Sequence, residues 1–320
     1  MNAVIKPEVE LFKAVQAGSL ERVKLLLEQH PSMDINYVPN PTEVATETYD
    51  SLIDEGNTAL LYALSAEKLE IAKVLLEHNA DPCKSNKYNL NALHMLTMVN
   101  HDIDQNKINL TMTLLTMLLN NKSLLQNINQ EAQYDKRSPL ATAIAYLPLT
   151  LAKQVIPQLT KHGAKYKGED PMWSQVIDRR DYDDAIQMIE SFFPEQLATS
   201  EFLKPSPRFE DKAAIHAAII PENVAFLNLS LKKLGQNAIE LMNNPKLPAL
   251  QVAINREPLN QTIIEILLDA GADPNVVHIG TKKSFSQRLK ELTQIERRQD
   301  ARDLDAALQK RAKIKASNNG

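Results

Sequence analysis

The sequence has few of the residues on which β-rich folds depend. Of its 320 residues only 5% are aromatic and only 8 are glycine. Sandwiches and barrels need turn glycines and strands rich in β-branched or aromatic side chains. The composition therefore argues against both of these architectures.

Long apolar runs and paired cysteines are also missing. No apolar run approaches the ~20 residues that a membrane-spanning helix requires. The first residues, MNAVIKPEVELFKAV, lack the basic start and apolar core of a secretory signal peptide. The single cysteine, Cys83, cannot form an internal disulfide, which is typical of a reducing compartment. These features predict a cytoplasmic protein.

Charge is distributed unevenly along the chain. From Thr281 to the end there are 11 Lys and Arg against 5 Asp and Glu, a balance of +6, and the other 25 basic and 35 acidic residues leave −10. An acidic body with few aromatic residues argues against nucleic acid as a partner. The basic tail leaves contact with an anionic membrane surface as a weaker alternative.

What the sequence does contain is an internal repeat. The stretch from Gly56 to Pro82 reads GNTALLYALSAEKLEIAKVLLEHNADP and holds two helix-like apolar patterns. The steps between related motifs are 49, 33, 47, 33, 42 and 35 residues, which indicates a unit of about 33 residues with insertions. The motifs are centred on Leu11, Leu60, Leu93, Leu140, Trp173, Ile215 and Leu250. We therefore predict an array of about seven two-helix units over residues 8–280.

These units resemble ankyrin repeats, whose signature is T-P-L-H-x-A in a length of 33 residues. The best matches are GNTALLYAL, NALHML and EILLDAGADPN. The resemblance implies an all-α ankyrin-repeat solenoid in which His94 and His216 join neighbouring repeats through hydrogen bonds. The sequence departs from the ankyrin pattern at two notable places. Pro157 is expected to interrupt a second helix, and the unit around Trp173 has almost no turn signature.

Local signals fit short paired helices. Thr58 and Ser138 are suited to cap helix N-termini, while Gly163 and Gly271 suit the left-handed position that ends a helix. Residues 281–315 predict a basic helical C-terminal cap, because a terminal repeat needs a polar outer face. The last residues, 316–320, are predicted to be disordered.

Three insertions interrupt the array, and loops on a rigid scaffold often carry specificity. They cover residues 38–53, 99–109 and 194–212.

Candidate chemistry is sparse. Cys83 has His78 and His94 near it in sequence, but a nucleophilic pair needs an accessible thiolate and an oriented base. The simpler interpretation is that Cys83 replaces the Asn of a turn. The acidic runs at 101–104 and 178–184 lack the spacing of a calcium loop. We predict no catalytic residue, no cofactor and no metal site.

The function that this fold predicts is protein recognition. A monomeric scaffold would bind a partner protein, whose identity the sequence does not reveal, through its concave face and hairpin tips. We expect the binding surface to include residues that the two-helix pattern leaves off the core stripe and whose types are enriched at interfaces. These are Tyr62, Tyr88, Met95, Tyr134, Arg137 and Tyr146.

Irregular repeats and long insertions also resemble ankyrin-repeat effectors that intracellular bacteria deliver into host cells. That resemblance implies a host protein as the partner and secretion into the host cytosol without a cleaved signal peptide. Two alternatives stay open from the sequence. One is an enzyme of unrecognised type with a site between a repeat and an insertion, and the other is a membrane-surface adaptor that uses the basic tail.

Overall fold

The computed structural model describes residues 6–44, 52, 55–98, 104–166, 171–177, 182–193, 198–209 and 212–318. These residues form 20 α-helices and one short 3-10 turn, Pro207–Phe209, and they contain no β-strand. The chain divides into two compact units, Met1–Glu169 and Asp170–Gly320.

The first unit contains ten helices within its described residues. They are α1 (Pro7–Gln16), α2 (Leu20–Gln29), α3 (Pro41–Val44), α4 (Ala59–Ser65), α5 (Leu69–Glu77), α6 (Ala92–Thr97), α7 (Gln105–Leu119), α8 (Lys122–Gln126), α9 (Pro139–Tyr146) and α10 (Leu149–Lys161).

Eight of these helices form four stacked pairs. Within each pair, α1 packs on α2, α4 on α5, α6 on α7 and α9 on α10. The first helices α1, α4, α6 and α9 also pack in a row, as do the second helices α2, α5, α7 and α10. Ala63 and Ala143 are completely buried between the helices, because small side chains let the backbones approach closely. A single pair cannot bury its apolar face, so the neighbours share one continuous core.

The predicted local signals are present. The Thr58 hydroxyl oxygen accepts a hydrogen bond from the Leu61 N–H at 3.3 Å, and that of Ser138 accepts one from the Ala141 N–H at 3.4 Å. Gly163 has a φ of +92°, the left-handed conformation that only glycine adopts easily.

The expected interruption at Pro157 is wrong. Helix α10 continues through this proline from Leu149 to Lys161. Ile156 and Leu159, on either side of it, are completely buried. Core packing of an amphipathic face, which supplies most of the stability of a protein helix, holds both halves in place.

The second unit contains the other ten helices. They are α11 (Trp173–Val176), α12 (Tyr182–Phe192), α13 (Thr199–Leu203), α14 (Ala214–Ile219), α15 (Val224–Leu234), α16 (Asn237–Met242), α17 (Ala249–Ile254), α18 (Gln261–Asp269), α19 (Phe285–Thr293) and α20 (Gln299–Asn318).

The second unit repeats the two-helix arrangement at α14–α15 and α17–α18. At its C-terminal end α19 packs on α17, and α20 packs on α19. Leu289, Leu292 and Leu304 of this last pair are buried. Helix α20 continues to Asn318, into the segment predicted to be disordered, and residues 319–320 lie outside the described residues. The capping role of residues 281–315 stays a prediction.

The three predicted insertions differ in structure. In 38–53, residues 41–44 form α3, and 45–51 and 53 lie outside the described residues. In 99–109, residues 99–103 lie outside them, and α7 already begins at Gln105. Asp104 sets this boundary, because its carboxylate caps the helix by accepting the Lys107 N–H at 2.8 Å.

The insertion at 194–212 contributes to the core of the second unit. Phe202 is completely buried, and its ring stacks on Phe226 with centroids 5.9 Å apart. Phe209 stacks on Trp173 at 5.9 Å, and Trp173 contacts Phe226 at 6.0 Å. The weak repeat around Trp173 is therefore completed by aromatic side chains from the insertion. Aromatic pairs of this kind are worth about 0.5–1.5 kcal/mol beyond the area they bury.

Candidate functional site

The connection before α6 is held by buried amides. Asn86 Nδ2 donates to Asn57 Oδ1 at 3.1 Å. The Asn86 Oδ1 atom accepts the backbone N–H groups of Tyr88 and Leu90 at 3.0 and 3.1 Å. Asn86 is only 6% exposed, so these hydrogen bonds satisfy a side chain whose burial would otherwise be costly. They fix the backbone on both sides of Tyr88.

The connection before α9 is tied to the connection before α6. Gln130 Nε2 donates to the hydroxyl oxygen of Ser85 at 2.7 Å and to the backbone oxygen of Asn89 at 2.9 Å. The Gln133 N–H donates to the backbone oxygen of Tyr88 at 2.8 Å. We call these contacts, with the Asn57–Asn86 pair, the amide ladder. It brings the rings of Tyr88 and Tyr134 within 5.4 Å of each other at an angle of 51°.

A pocket of about 360 Å³ lies beside this ring pair. Tyr134 is 77% exposed at its mouth, and Tyr88 and Tyr146 are half-buried. We call it the tyrosine pocket, and its lining residues are Tyr88, Leu90, Met98, Ala132, Tyr134, Asp135, Thr142 and Tyr146.

Arg137 supports the tyrosine pocket without lining it. Its Nη1 atom donates to the Tyr146 hydroxyl at 2.5 Å and lies 3.4 Å from an Asp135 carboxylate oxygen. The guanidinium carbon lies 5.2 Å from the Tyr146 ring centroid. Because the Arg137 side chain is only 4% exposed, these contacts fix the ring and compensate the buried charge.

A second pocket of about 220 Å³ shares the walls Leu90 and Met98 with the first. We call it the glutamate pocket, and the two pockets together the tip groove. Its lining residues are Leu52, Glu55, Leu64, Ser65, Glu67, Leu90, Met95 and Met98. The tip groove belongs entirely to the first unit.

The structure brings five of the six predicted residues to this groove. Tyr88, Tyr134 and Tyr146 line the tyrosine pocket, Met95 lines the glutamate pocket, and Arg137 supports Tyr146.

Tyr62 does not line the groove. Its ring packs edge-on against Phe12, with centroids 5.1 Å apart. The expectation that all six positions lie off the core stripe is wrong for Tyr62, Met95 and Arg137, which are 6%, 4% and 4% exposed. Tyr62 and Met95 lie on the short first helices α4 and α6, which have neighbouring repeats on both sides, so a residue off one stripe faces the next repeat instead of solvent. Arg137 lies in the connection before α9 and is buried in its contacts with Tyr146 and Asp135.

Sequence reasoning missed Leu90, Met98, Glu55 and Glu67 as groove residues. The usable signal was the clustering of Asn and Gln in the connections at 86–91 and 127–133. Such side chains bond readily to nearby backbone groups.

The two histidines of the repeat motif have the structural role that the resemblance implied. His94 Nε2 donates to the backbone oxygen of Arg137 at 3.2 Å, and His216 Nε2 donates to that of Leu247 at 2.9 Å. Burial lowers the pKa of both rings to about 4. Both are therefore neutral near pH 7, and His94 also fixes the backbone of the arginine below the tyrosine pocket.

Cys83 occupies a turn position. The Asp81 carboxylate accepts its N–H at 2.9 Å, and the turns Asp34–Asn36 and Asp273–Asn275 contain the same hydrogen bond at 3.0 and 2.8 Å. Cys83 thus stands where the other two turns have Asn. Burial, and next the carboxylate of Asp81, raise the pKa of its thiol to about 11. A protonated thiol is a poor nucleophile.

The described residues contain no group of three or more His, Cys, Asp and Glu side chains that could hold a metal ion. Of the two acidic runs, residues 101–103 and 178–181 lie outside the described part of the chain. No helix in that part is long and apolar enough to cross a membrane.

Stacked helix pairs joined by histidine and amide hydrogen bonds define an α-helical repeat protein. A family model described as ankyrin repeats matches residues 11–105 in three copies. This segment therefore consists of ankyrin repeats, and the fold class is the all-α ankyrin-repeat class that the sequence motifs implied. The match covers α1 to the start of α7 and includes Tyr88 and Met95 of the tip groove. No curated protein matches the chain.

Proposed function

We propose that this protein is a protein–protein interaction scaffold whose tip groove binds the partner. Ankyrin repeats generally mediate protein–protein interaction. The observation that carries the proposal is the cluster of three tyrosines and two methionines around adjoining pockets. Tyrosine and methionine are enriched at interfaces, and tyrosine is among the residues that dominate binding energy.

Rigidity supports the same proposal. The amide ladder and the Arg137 contacts hold Tyr88 and Tyr146 before any partner arrives. A preorganised surface loses less conformational entropy on binding. Among the three tyrosines, Tyr134 should contribute most to the binding free energy, because it is 77% exposed and burying a large apolar side chain is worth about 1.5–3 kcal/mol.

Catalysis by the single thiol or by the two buried motif histidines is disfavoured on a specific ground. The one thiol has a pKa of about 11, and the buried histidines have pKa values of about 4. None of the three matches the near-neutral pKa that general acid–base or thiolate catalysis needs at pH 7.

We also place the protein in a reducing cytosol, on the ground of its single cysteine. A host-cell protein as partner extends this proposal and has only the resemblance to bacterial effectors behind it. Expression of the tagged chain in cultured cells, followed by fractionation, tests the compartment.

Affinity capture from a host-cell lysate tests the binding function. The tagged full chain, its Tyr88→Ala and Tyr134→Ala variants, and a Leu25→Ala control are compared by mass spectrometry. Leu25 is a suitable control because it is 40% exposed on α2, outside the tip groove. We expect at least one protein to be captured by the wild type and the control but lost with both tyrosine variants. Identical captures by all four proteins would refute the groove as the binding surface.

A further inference from the structure

The two halves of the tip groove differ in charge. In the tyrosine pocket the carboxylate of Asp135 lies 3.4 Å from Arg137 Nη1, which neutralises it. The rest of that lining is aromatic, aliphatic or hydroxyl-bearing. A lining that is mostly aromatic and aliphatic favours an apolar or aromatic side chain, because burying a charge without a partner is costly.

The side chains that line the glutamate pocket carry negative charge. Glu55 and Glu67 line it, and its lining includes no Lys or Arg. Lys107 Nζ approaches Glu67 at 3.1 Å, with side chains 42% and 22% exposed. Such a solvent-accessible pair is weak. Glu55 Oε2 accepts a hydrogen bond from the Asn57 amide at 3.1 Å, which holds the carboxylate in position.

Glu55 and Glu67 thus place two carboxylates in one pocket, beside the apolar side chain of Leu52. Carboxylates grouped in this way attract partners of the opposite charge and raise their association rate.

We infer that the tip groove binds a segment of a partner protein in which an apolar side chain fills the tyrosine pocket and a nearby lysine or arginine lies against Glu55 and Glu67. The inference rests on the proposed function and adds the chemistry of the partner. The two side chains belong to one short segment, because the pockets share the walls Leu90 and Met98.

A phage-displayed library of short random peptides, selected on the immobilised full chain, tests this inference. We expect the enriched peptides to pair an aliphatic or aromatic residue with Lys or Arg a few positions away. Their affinity is then measured for the wild type, Glu55→Gln, Glu67→Gln and Tyr134→Ala, with Glu21→Gln as the control. Glu21 has a side chain 88% exposed on α2, where it lies 3.6 Å from Lys24 Nζ; it is outside the tip groove, so its replacement reports the effect of removing a surface charge.

Removing either groove carboxylate should weaken binding about two- to five-fold, as expected for a partly exposed ion pair. Added salt should reduce this difference. The Tyr134→Ala change should weaken binding by about tenfold or more, as expected when the burial of a large apolar side chain is lost, and Glu21→Gln should have no effect. Circular dichroism of each variant verifies folding, and Glu55→Gln alone decides the charge question if Glu67→Gln perturbs the contact with Lys107.

The outcomes separate the two proposals. Peptides that depend on Tyr134 but bind both glutamine variants as tightly as the wild type would refute the basic partner and leave the proposed function standing. Enriched peptides without a basic residue would have the same consequence. Failure to enrich any peptide that is sensitive to Tyr134→Ala would count against both proposals.

Discussion

The replacement of Ala213 by serine should stabilise the second unit, because this position is a helix N-cap without a capping side chain. Ala213 precedes α14 with φ −72° and ψ 166°. The caps Thr58 and Ser138 have nearly the same backbone, with ψ values of 167° and 166°, and their hydroxyl oxygens accept a backbone N–H three residues on. A serine hydroxyl at position 213 should therefore accept the N–H of His216.

The buried Nδ1 atom of His216 should add to the expected increase in the free energy of unfolding. His94 Nδ1 accepts the backbone N–H of its N-cap residue, Asn91, at 3.3 Å. The equivalent Nδ1 atom of His216 is buried and has no hydrogen-bond partner among the described residues. The serine hydroxyl can donate its proton to this atom while its oxygen accepts the His216 N–H. An N-cap is worth about 0.5–2 kcal/mol, so we expect the free energy of unfolding to rise by about 1 kcal/mol.

Urea denaturation followed by tryptophan fluorescence measures the effect where it occurs. Trp173 is the sole tryptophan of the chain and is 1% exposed in the second unit, so its emission reports the unfolding of that unit. An increase of about 1 kcal/mol would raise the urea midpoint by roughly 0.3–1 M, because the free energy of unfolding falls by about 1–3 kcal/mol per M of urea. Ala214→Ser is the matched control, because Ala214 is completely buried one residue later and a hydroxyl there should destabilise. An unchanged or lower midpoint for Ala213→Ser would refute the capping argument.

Three further predictions concern pH, the cysteine and the C-terminal pair. The folded pKa of His216 is about 4 against a reference value of 6.5, so its stabilising contribution is complete above pH 6.5 and is lost as the pH falls towards 4. At pH 5 the loss is about 2 kcal/mol, and a Trp173-monitored urea midpoint equal at pH 7 and pH 5 would contradict it. Cys83→Ser should keep full partner binding, and the wild-type thiol, with a pKa of about 11, should react with iodoacetamide at pH 8 about a hundredfold more slowly than an ordinary cysteine of pKa 9. A serine variant that folds but loses all activity would instead favour an enzyme. Truncation after Gly280 should expose the buried side chains of Ile264 and Leu267, at about 1.5–3 kcal/mol each, and a truncated protein that melts like the full chain would show that α19 and α20 are not a cap.

The repeat positions could be predicted from the sequence because they depend on features of nearby residues, namely apolar spacing along one helix and capping side chains. The markers Leu60, Leu93 and Leu140 lie on α4, α6 and α9 and are at most 1% exposed. Apolar spacing reveals such positions directly, since one helix face must be buried. Caps such as Thr58 are equally local, because the hydroxyl and the N–H that it accepts are separated by three residues.

The tip groove could be predicted only in part, because it is built by contacts between distant residues. The Gln130–Ser85 hydrogen bond spans 45 residues, and the Asn86–Asn57 bond spans 29. No periodicity within one repeat encodes these pairings. Residue type alone pointed to the tyrosines, but it could not distinguish Tyr134, which is exposed, from Tyr62, which packs on Phe12.

The two motif histidines show how the same position can serve stability in one repeat and the groove in another. Both rings donate to a backbone carbonyl of the following repeat. In the second unit the acceptor belongs to Leu247, where the bond only joins repeats. In the first unit it belongs to Arg137, whose side chain reaches Tyr146 in the tyrosine pocket. Because His94 holds the backbone of Arg137, a substitution such as His94→Ala should weaken partner binding as well as stability, whereas His216→Ala should lower stability alone. Equal loss of binding in both variants, at matched folded concentration, would show that the histidine contact has no specific link to the groove.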